Sequence, residues 1–155
     1  MRPGSGRAHR LAAYPWCSMD LSGAMTSRGR ALFGLVVLAQ AAHSVEEYIF
    51  RLFDVFAPAR FVSGVFSSNL PLGFAMANTA IVLFGVWCYV ARVRTPHPTE
   101  RAYAWAWACV ELANGTGHMI LAGLQGGYFP GAGTAPLLIA SSGYLAFDLS
   151  KLDRP

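Results

Sequence analysis

The chain has 155 residues, is 54% hydrophobic and only 13% charged, and carries a formal charge of +4. Soluble domains average about 25% charged residues. With a mean hydropathy of +0.39, this composition argues against an ordinary soluble domain and for a small integral membrane protein. The basic residues are arginines apart from Lys151, and no basic stripe is interleaved with aromatic residues, so no nucleic-acid partner is expected.

Residues 1–30 are rich in Gly, Ser, Arg and Ala. Their apolar stretch around Leu11 to Cys17 is short and broken by Pro15. This tail is read as disordered, as a weak targeting segment, or as lying upstream of a true start at Met19 or Met25. The folded domain is expected over 31–155. Four apolar segments follow, at about 31–53, 70–91, 102–124 and 134–149. A helix needs about 20 residues to cross the hydrocarbon core, which the first three supply; the fourth is shorter and must tilt little or sit where the bilayer thins. The connections at 54–69, 92–101 and 125–133 carry the prolines and polar residues of loops, and Pro130-Gly131 suits a type II turn. The expected fold is an all-α, four-helix transmembrane bundle with a disordered N-terminal tail.

Arg2, Arg7, Arg10, Arg28, Arg30, Arg92, Arg94, Arg101, Lys151 and Arg154 fall on one side of this scheme, and only Arg51 and Arg60 on the other. The positive-inside rule then puts both termini in the cytoplasm. The cysteines Cys17, Cys88 and Cys109 form no CxxC pair; Cys88 and Cys109, inside apolar runs, are expected to be buried reduced thiols.

Ionisable residues inside such segments are costly and mark functional sites by default. In the first segment His43 and Glu47 lie one helical turn apart, with Glu46 beside them and Gln40 continuing the stripe. In the third, Glu111, Asn114 and His118 share one face. His43 and Asn114 are each 12 residues past the starts of their segments, and Glu47 and His118 each 16. At 1.5 Å per residue these are heights of about 18 and about 24 Å, so the two polar stripes meet in one layer. Asn78, in the second segment, is assigned a structural role, and Glu111, about 10 Å below His118 along the helix, is read as binding a second ion, orienting a ligand from the second shell, or relaying protons. The rival reading makes Glu47 a surface partner of Arg51 at i+4.

The order His43-x-x-Glu46-Glu47, Asn114-x-x-x-His118, Pro130-Gly131 resembles the HXXEE-motif family of bacterial membrane proteins, over roughly residues 32–148. The resemblance implies a four-helix membrane fold, a bacterial inner-membrane location and a shared site at His43, Glu46, Glu47, Asn114 and His118. It supplies no substrate, since the family has no established reaction.

Three functions fit these residues. The first is a metal-dependent membrane enzyme acting on a lipophilic molecule, with His43, Glu47, Asn114 and His118 as ligands of a divalent iron or zinc ion and Glu46, Glu47 and Glu111 as catalytic carboxylates. The second is a metal-free acid–base enzyme of isomerase type using Glu and His. The third is a small transporter or proton-relay module. The first is preferred, because a shared ion offsets the burial of the carboxylates. The aromatic residues of 54–69, with Tyr128 and Phe129, are expected to roof the site or border its entrance.

Overall fold

The computed structural model describes residues 24–152. Within them the chain is all-helical, with six α-helices: α1 Ser27–Ile49, α2 Leu52–Val55, α3 Ala57–Phe66, α4 Leu70–Cys88, α5 Glu100–Gln125 and α6 Ala135–Leu152. The readings of Cys17 and of a start at Met19 lie outside these residues.

The long helices α1, α4, α5 and α6 coincide with the four apolar segments, and the differences are at their ends. The Thr26 side chain accepts the Gly29 N–H at 2.9 Å, so α1 begins at Ser27 and takes in residues assigned above to the tail. The helix stops at Ile49 because the chain turns at Arg51, which adopts a left-handed conformation (φ 56°). Leu52 and Phe53 then open the separate turn α2.

The connection 54–69, expected as a loop, is helical over most of its length. Pro58 stands in the first turn of α3, where its missing N–H leaves no bond unmade. Six helices, rather than four, therefore make up the described residues, the two additional ones being short and packed at one end. The last turn of α4 widens into a π-turn over Tyr89–Val93. The rod Leu70–Val93 is the one helix among the described residues long and apolar enough to cross a membrane by length and composition.

Helix α1 is central, packed against α4 on one side and α6 on the other, with α5 completing the bundle against α6. Polar contacts fix the helix directions. Asn114 of α5 meets Gln40, and His118 meets Glu47, so α1 and α5 run parallel. Asp148 of α6 lies at the start of α1 and Thr134 near its end, so α6 runs back. Helices α4 and α5 meet through Phe84 and Gly85 against Trp107 and through Trp87 against Tyr103, and a groove opens between them on the far side of Phe84.

Phe33, Val36, Val37, Trp107, Leu145 and Leu149 form the core at one end of the bundle. Leu52, Phe53, Phe74 and Phe129 form a second core that seats α2 and α3 at the other end. Gly73 lets α3 sit directly on α4: a Cβ there would come 2.0 Å from the Ser63 carbonyl oxygen. Gly115 allows a close contact of α5 with α6, packed on Ile139 and the Ala135 carbonyl, whereas Gly117, Gly123 and Gly143 face open space.

At the end where the helices start, Glu100 is buried and takes a bidentate contact from Arg30 (3.1 and 3.3 Å). Thr26 donates to Asp148 at 3.1 Å. These contacts tie α1 to α5 and α6, a role that sequence position alone did not assign to Arg30 or Glu100. Cys88 is buried as expected, but Cys109 is exposed on the outer face of α5, which corrects its reading as a buried thiol: an apolar run on an outward helix face faces the surroundings, not the core.

Candidate metal centre

Three buried side chains converge where α1 crosses α5. His43 Nε2 lies 3.5 Å from Glu47 Oε1, and His118 Nε2 lies 3.1 Å from the same oxygen. The two imidazole rings stand edge to face with centroids 4.6 Å apart. His43, Glu47 and His118 are the one group of three or more His, Cys, Asp or Glu residues among those described whose donor atoms are close enough to share an ion, all within 4.8 Å of one another. Three donors at about 2.1 Å from a tetrahedral centre would sit about 3.4 Å apart; the two contacts to Glu47 match that spacing, and the group's widest separation, 4.8 Å, requires its side chains to draw together around an ion.

Hydrogen-bond accounting sets the ring tautomers. His118 Nδ1 lies 2.6 Å from the Pro130 carbonyl oxygen. A carbonyl only accepts, so Nδ1 carries the proton and Nε2 presents a lone pair to the centre. His43 Nδ1 lies 2.8 Å from the Thr134 hydroxyl, and that hydroxyl donates to Glu46 Oε2 at 2.5 Å. Its single hydrogen is therefore used, so it accepts from His43 Nδ1–H, and the His43 Nε2 lone pair also faces inward. His43 is fully buried, and its Nε2 has no hydrogen-bond partner. Metal-binding histidines are oriented in this way, with the distal N–H held by a carbonyl or by a carboxylate-linked group.

Glu46 thus does not join the centre. Adjacent residues on a helix diverge by about 100°, so Glu47 turns inward while Glu46 turns to the loop between α5 and α6. There it accepts the Gly133 N–H (2.8 Å), the Thr134 N–H (2.6 Å) and the Thr134 hydroxyl, and Tyr128 donates its phenol to the same carboxylate. Burial, and then the adjacent Glu46 carboxylate, push the Tyr128 phenol up to about 12, so it remains a donor throughout the neutral range. Glu46 is a loop anchor that acts on His43 through Thr134.

The loop closes over both rings. The Ala132 N–H donates to the Phe129 carbonyl at 2.9 Å and Gly131 has φ 95°, the arrangement of a type II turn centred on Pro130-Gly131. A Cβ on Gly131 would lie 2.5 Å from His118 Nδ1 and 2.8 Å from His43 Cε1. Phe129 is buried, 5.5 Å from the His118 ring.

Asn114, expected among the ligands, lies outside the group. Its amide points to Gln40 Oε1 and Glu111 Oε2, both at 3.5 Å. From Gln40 a chain of bonds passes through Ser44 (3.1 Å) to Asn78 (2.8 Å). The sequence matched Asn114 to His43 in height, but the contact is with Gln40, about one helical turn lower, so Asn114 belongs to a polar belt beneath the centre. Asn78 accepts from Ser44 and donates to the Phe74 carbonyl, and it also lines the cavity that holds Glu111. Arg51 pairs with Asp54 at 2.5 Å, so it is not the partner of Glu47 that the rival reading required. Glu111 is buried and shares a cavity of about 450 Å³ with Gln40, Glu47, Asn78 and Asn114. Pro58, Ala59 and Val62 of α3 line that cavity too, but the aromatic residues of 54–69 expected as its roof do not: Phe61 and Phe66 are exposed, and Phe56 packs on Phe129. Thr134 was not singled out from the sequence; a threonine ahead of an apolar run reads as a helix cap, and here its hydroxyl is used by Glu46 and His43.

The chain matches the family described as "Protein of unknown function with HXXEE motif" over residues 34–145, and it belongs to that family. No curated protein and no solved structure matches it.

Proposed function

With membership of a family of unknown function as the premise, we propose that the chain is an integral membrane enzyme that holds a divalent cation, iron or zinc, at His43, Glu47 and His118 and acts on a lipophilic substrate. It crosses a bacterial inner membrane with α1, α4, α5 and α6, both termini cytoplasmic.

The observation that carries the metal is the buried, partnerless His43 Nε2. Its tautomer is set by Thr134, and its lone pair points at a carboxylate that already faces a second lone pair on His118. Three electron-rich donors in a buried site repel one another unless a cation lies between them. Two histidines and one carboxylate suit iron(II) or zinc and leave coordination positions open. Such an ion supplies Lewis acidity when bound. The chain's own groups hold it, exclude water beneath Phe129 and the Gly131 turn, and present Glu111 and Asn114 along the cavity floor as candidate proton-handling and orienting groups.

Support for the membrane lies in the outer surface. Leu38, Leu83, Val110, Ile120, Leu137 and Phe147 are exposed on all four long helices, an amount of bare apolar surface that soluble monomers avoid. Only 22% of the most apolar window of Leu70–Val93 is buried, whereas a core helix of a soluble protein would be mostly buried.

Metal-free acid–base chemistry has one observation in its favour: 3.1 Å between His118 Nε2 and Glu47 is a hydrogen-bond length if a proton lies between them. It leaves His43 Nε2 unpaired. Elemental analysis of the detergent-purified chain decides between the two. About one equivalent of iron or zinc is expected in the wild type, with His43→Ala and His118→Ala losing at least about 90% of it, since ligand loss should exceed the 10–100-fold cost of second-shell changes. A folded wild type that stays metal-free after incubation with both ions overturns the metal reading.

A further inference from the structure

The cavity at the centre does not end under α3. It shares Val62, Ala77, Ile81, Val110 and Glu111 with a groove of about 530 Å³ that opens sideways between α4 and α5. Apart from Glu111, the groove walls are apolar, with Phe66, Phe84 and Trp107 at its far reaches. Phe84 and Trp107 stack across it and close it towards the end where α5 begins. From Phe74, beside the cavity, to Phe84 is ten residues of α4, about 15 Å of helix. The two spaces are each of the size that holds a small ligand.

We infer that this cavity and groove form one binding site for a neutral, long-chain lipophile with a single oxygen-bearing head, a hydroxyl or a carbonyl, that enters sideways between α4 and α5. The inference rests on the reading of the centre as a chemical site and names the class of molecule it serves.

Charge selects the head. The cavity is lined by the carboxylates of Glu47 and Glu111 and the amides of Gln40, Asn78 and Asn114, with no lysine or arginine. A phosphate or carboxylate head would meet Glu111 and no base, and a divalent ion on Glu47 would only balance the two carboxylates, whereas a hydroxyl or carbonyl finds both donors and acceptors there. Glu47 is the one side chain common to the cavity and the candidate metal centre, so a head seated on the polar floor lies beside the centre.

Geometry selects the route. The α3 roof is clamped on α4 by the close Gly73–Ser63 approach, and Phe129 and the Gly131 turn cover the histidines. At the α4–α5 seam the groove reaches the surface, where Val62, Ile81, Phe84 and Val110 along it are exposed.

Photo-crosslinking of the full-length chain in lipid bilayers, with dodecanol carrying a mid-chain diazirine, tests this. Adducts should concentrate on Val62, Ile81, Phe84 and Val110. Unlabelled dodecanol should compete and dodecyl phosphate should not. Ala80→Trp, filling the groove from α4, and Val110→Trp, filling it from α5, should each reduce the adducts at least about tenfold, a loss of 1.4 kcal/mol in binding, while metal content stays at the wild-type level. Adducts spread evenly over outward residues such as Leu38, Ile120 and Phe147 would overturn the site, as would equal competition by dodecyl phosphate. A focused crosslink in a metal-free wild type would leave the binding site standing and remove the metal reading, so the two failures are distinguishable.

Discussion

His43 and His118 meet edge to face at 88°, with ring centroids 4.6 Å apart, and each has its outer nitrogen held by a residue of the same loop, Thr134 for one and Pro130 for the other. One segment therefore sets both rings. It follows that the loop between α5 and α6, remote in sequence from the His43 motif, controls the centre as directly as the helices do.

The two glutamates of the motif should separate in their effects. Glu47→Gln removes a charged donor of the centre and should abolish metal retention. Glu46→Gln keeps all three donors but weakens the acceptor of four bonds, so metal affinity should fall by about 10–100-fold, the usual cost of disturbing a second shell. Competition titrations with a chelator of known affinity measure both. Equal losses would mean that Glu46 is itself a ligand.

Thr134 gives a sharper test of the tautomer argument. Thr134→Ser retains the hydroxyl between Glu46 and His43 and should bind metal like the wild type. Thr134→Val, of the same shape, leaves His43 Nδ1–H and Glu46 without their shared partner. Its metal affinity should drop by about 10–100-fold, with the histidine signals in an NMR spectrum of ring-labelled protein reporting a change of His43 tautomer. Identical behaviour of the two variants would remove Thr134 from the account.

The sequence carried the helix-borne half of this site. His43 and Glu47 at i,i+4, and the equal depths of Glu47 and His118, follow from a constant rise and a constant turn, so three residues on two helices could be brought together by arithmetic. What arithmetic could not settle was which of two adjacent glutamates faces inward, because that depends on the roll of α1 against α5 by some tens of degrees. Asn114 was misplaced for a related reason: side chains reach along the helix, and the Asn114 amide extends to Gln40 rather than level with His43. Thr134 and the Pro130 carbonyl act through loop geometry that no periodicity encodes. Helices α2 and α3 were hidden because Pro58 and Gly64 read as loop residues in a 16-residue connection that the bundle end packs into helices.

The orientation in the membrane has a direct check. With native cysteines replaced, a cysteine at Ser68, exposed after α3, should react with an impermeant maleimide from outside the cell. One at Thr95, exposed between α4 and α5, should react only after the membrane is opened. Ser63, in the same outer segment, is buried against Gly73 and would not report. Labelling of both positions from the same side would rule out the four-span arrangement.

The last prediction concerns two glycines at the site with opposite demands. Gly131 has a φ of 95°, which side-chain-bearing residues rarely adopt, and its missing Cβ is what lets the turn rest on both imidazoles. Gly131→Ala must either distort the turn or push His118, whose Nδ1 would be 2.5 Å from the new methyl. Overpacking of this kind costs about 1–3 kcal/mol, and the strained φ adds to it. Gly117, next to His118 in α5, is a helical glycine with nothing within 4 Å of a Cβ. Gly117→Ala meets no such contact and gains helix propensity of up to about 1 kcal/mol. Thermal unfolding in detergent should therefore show Gly131→Ala lowered and Gly117→Ala unchanged or raised. Metal content should fall in the first and hold in the second. If Gly131→Ala kept both the wild-type melting temperature and its metal, the turn would not be seated on the histidines, and the loop's control of the centre would be wrong.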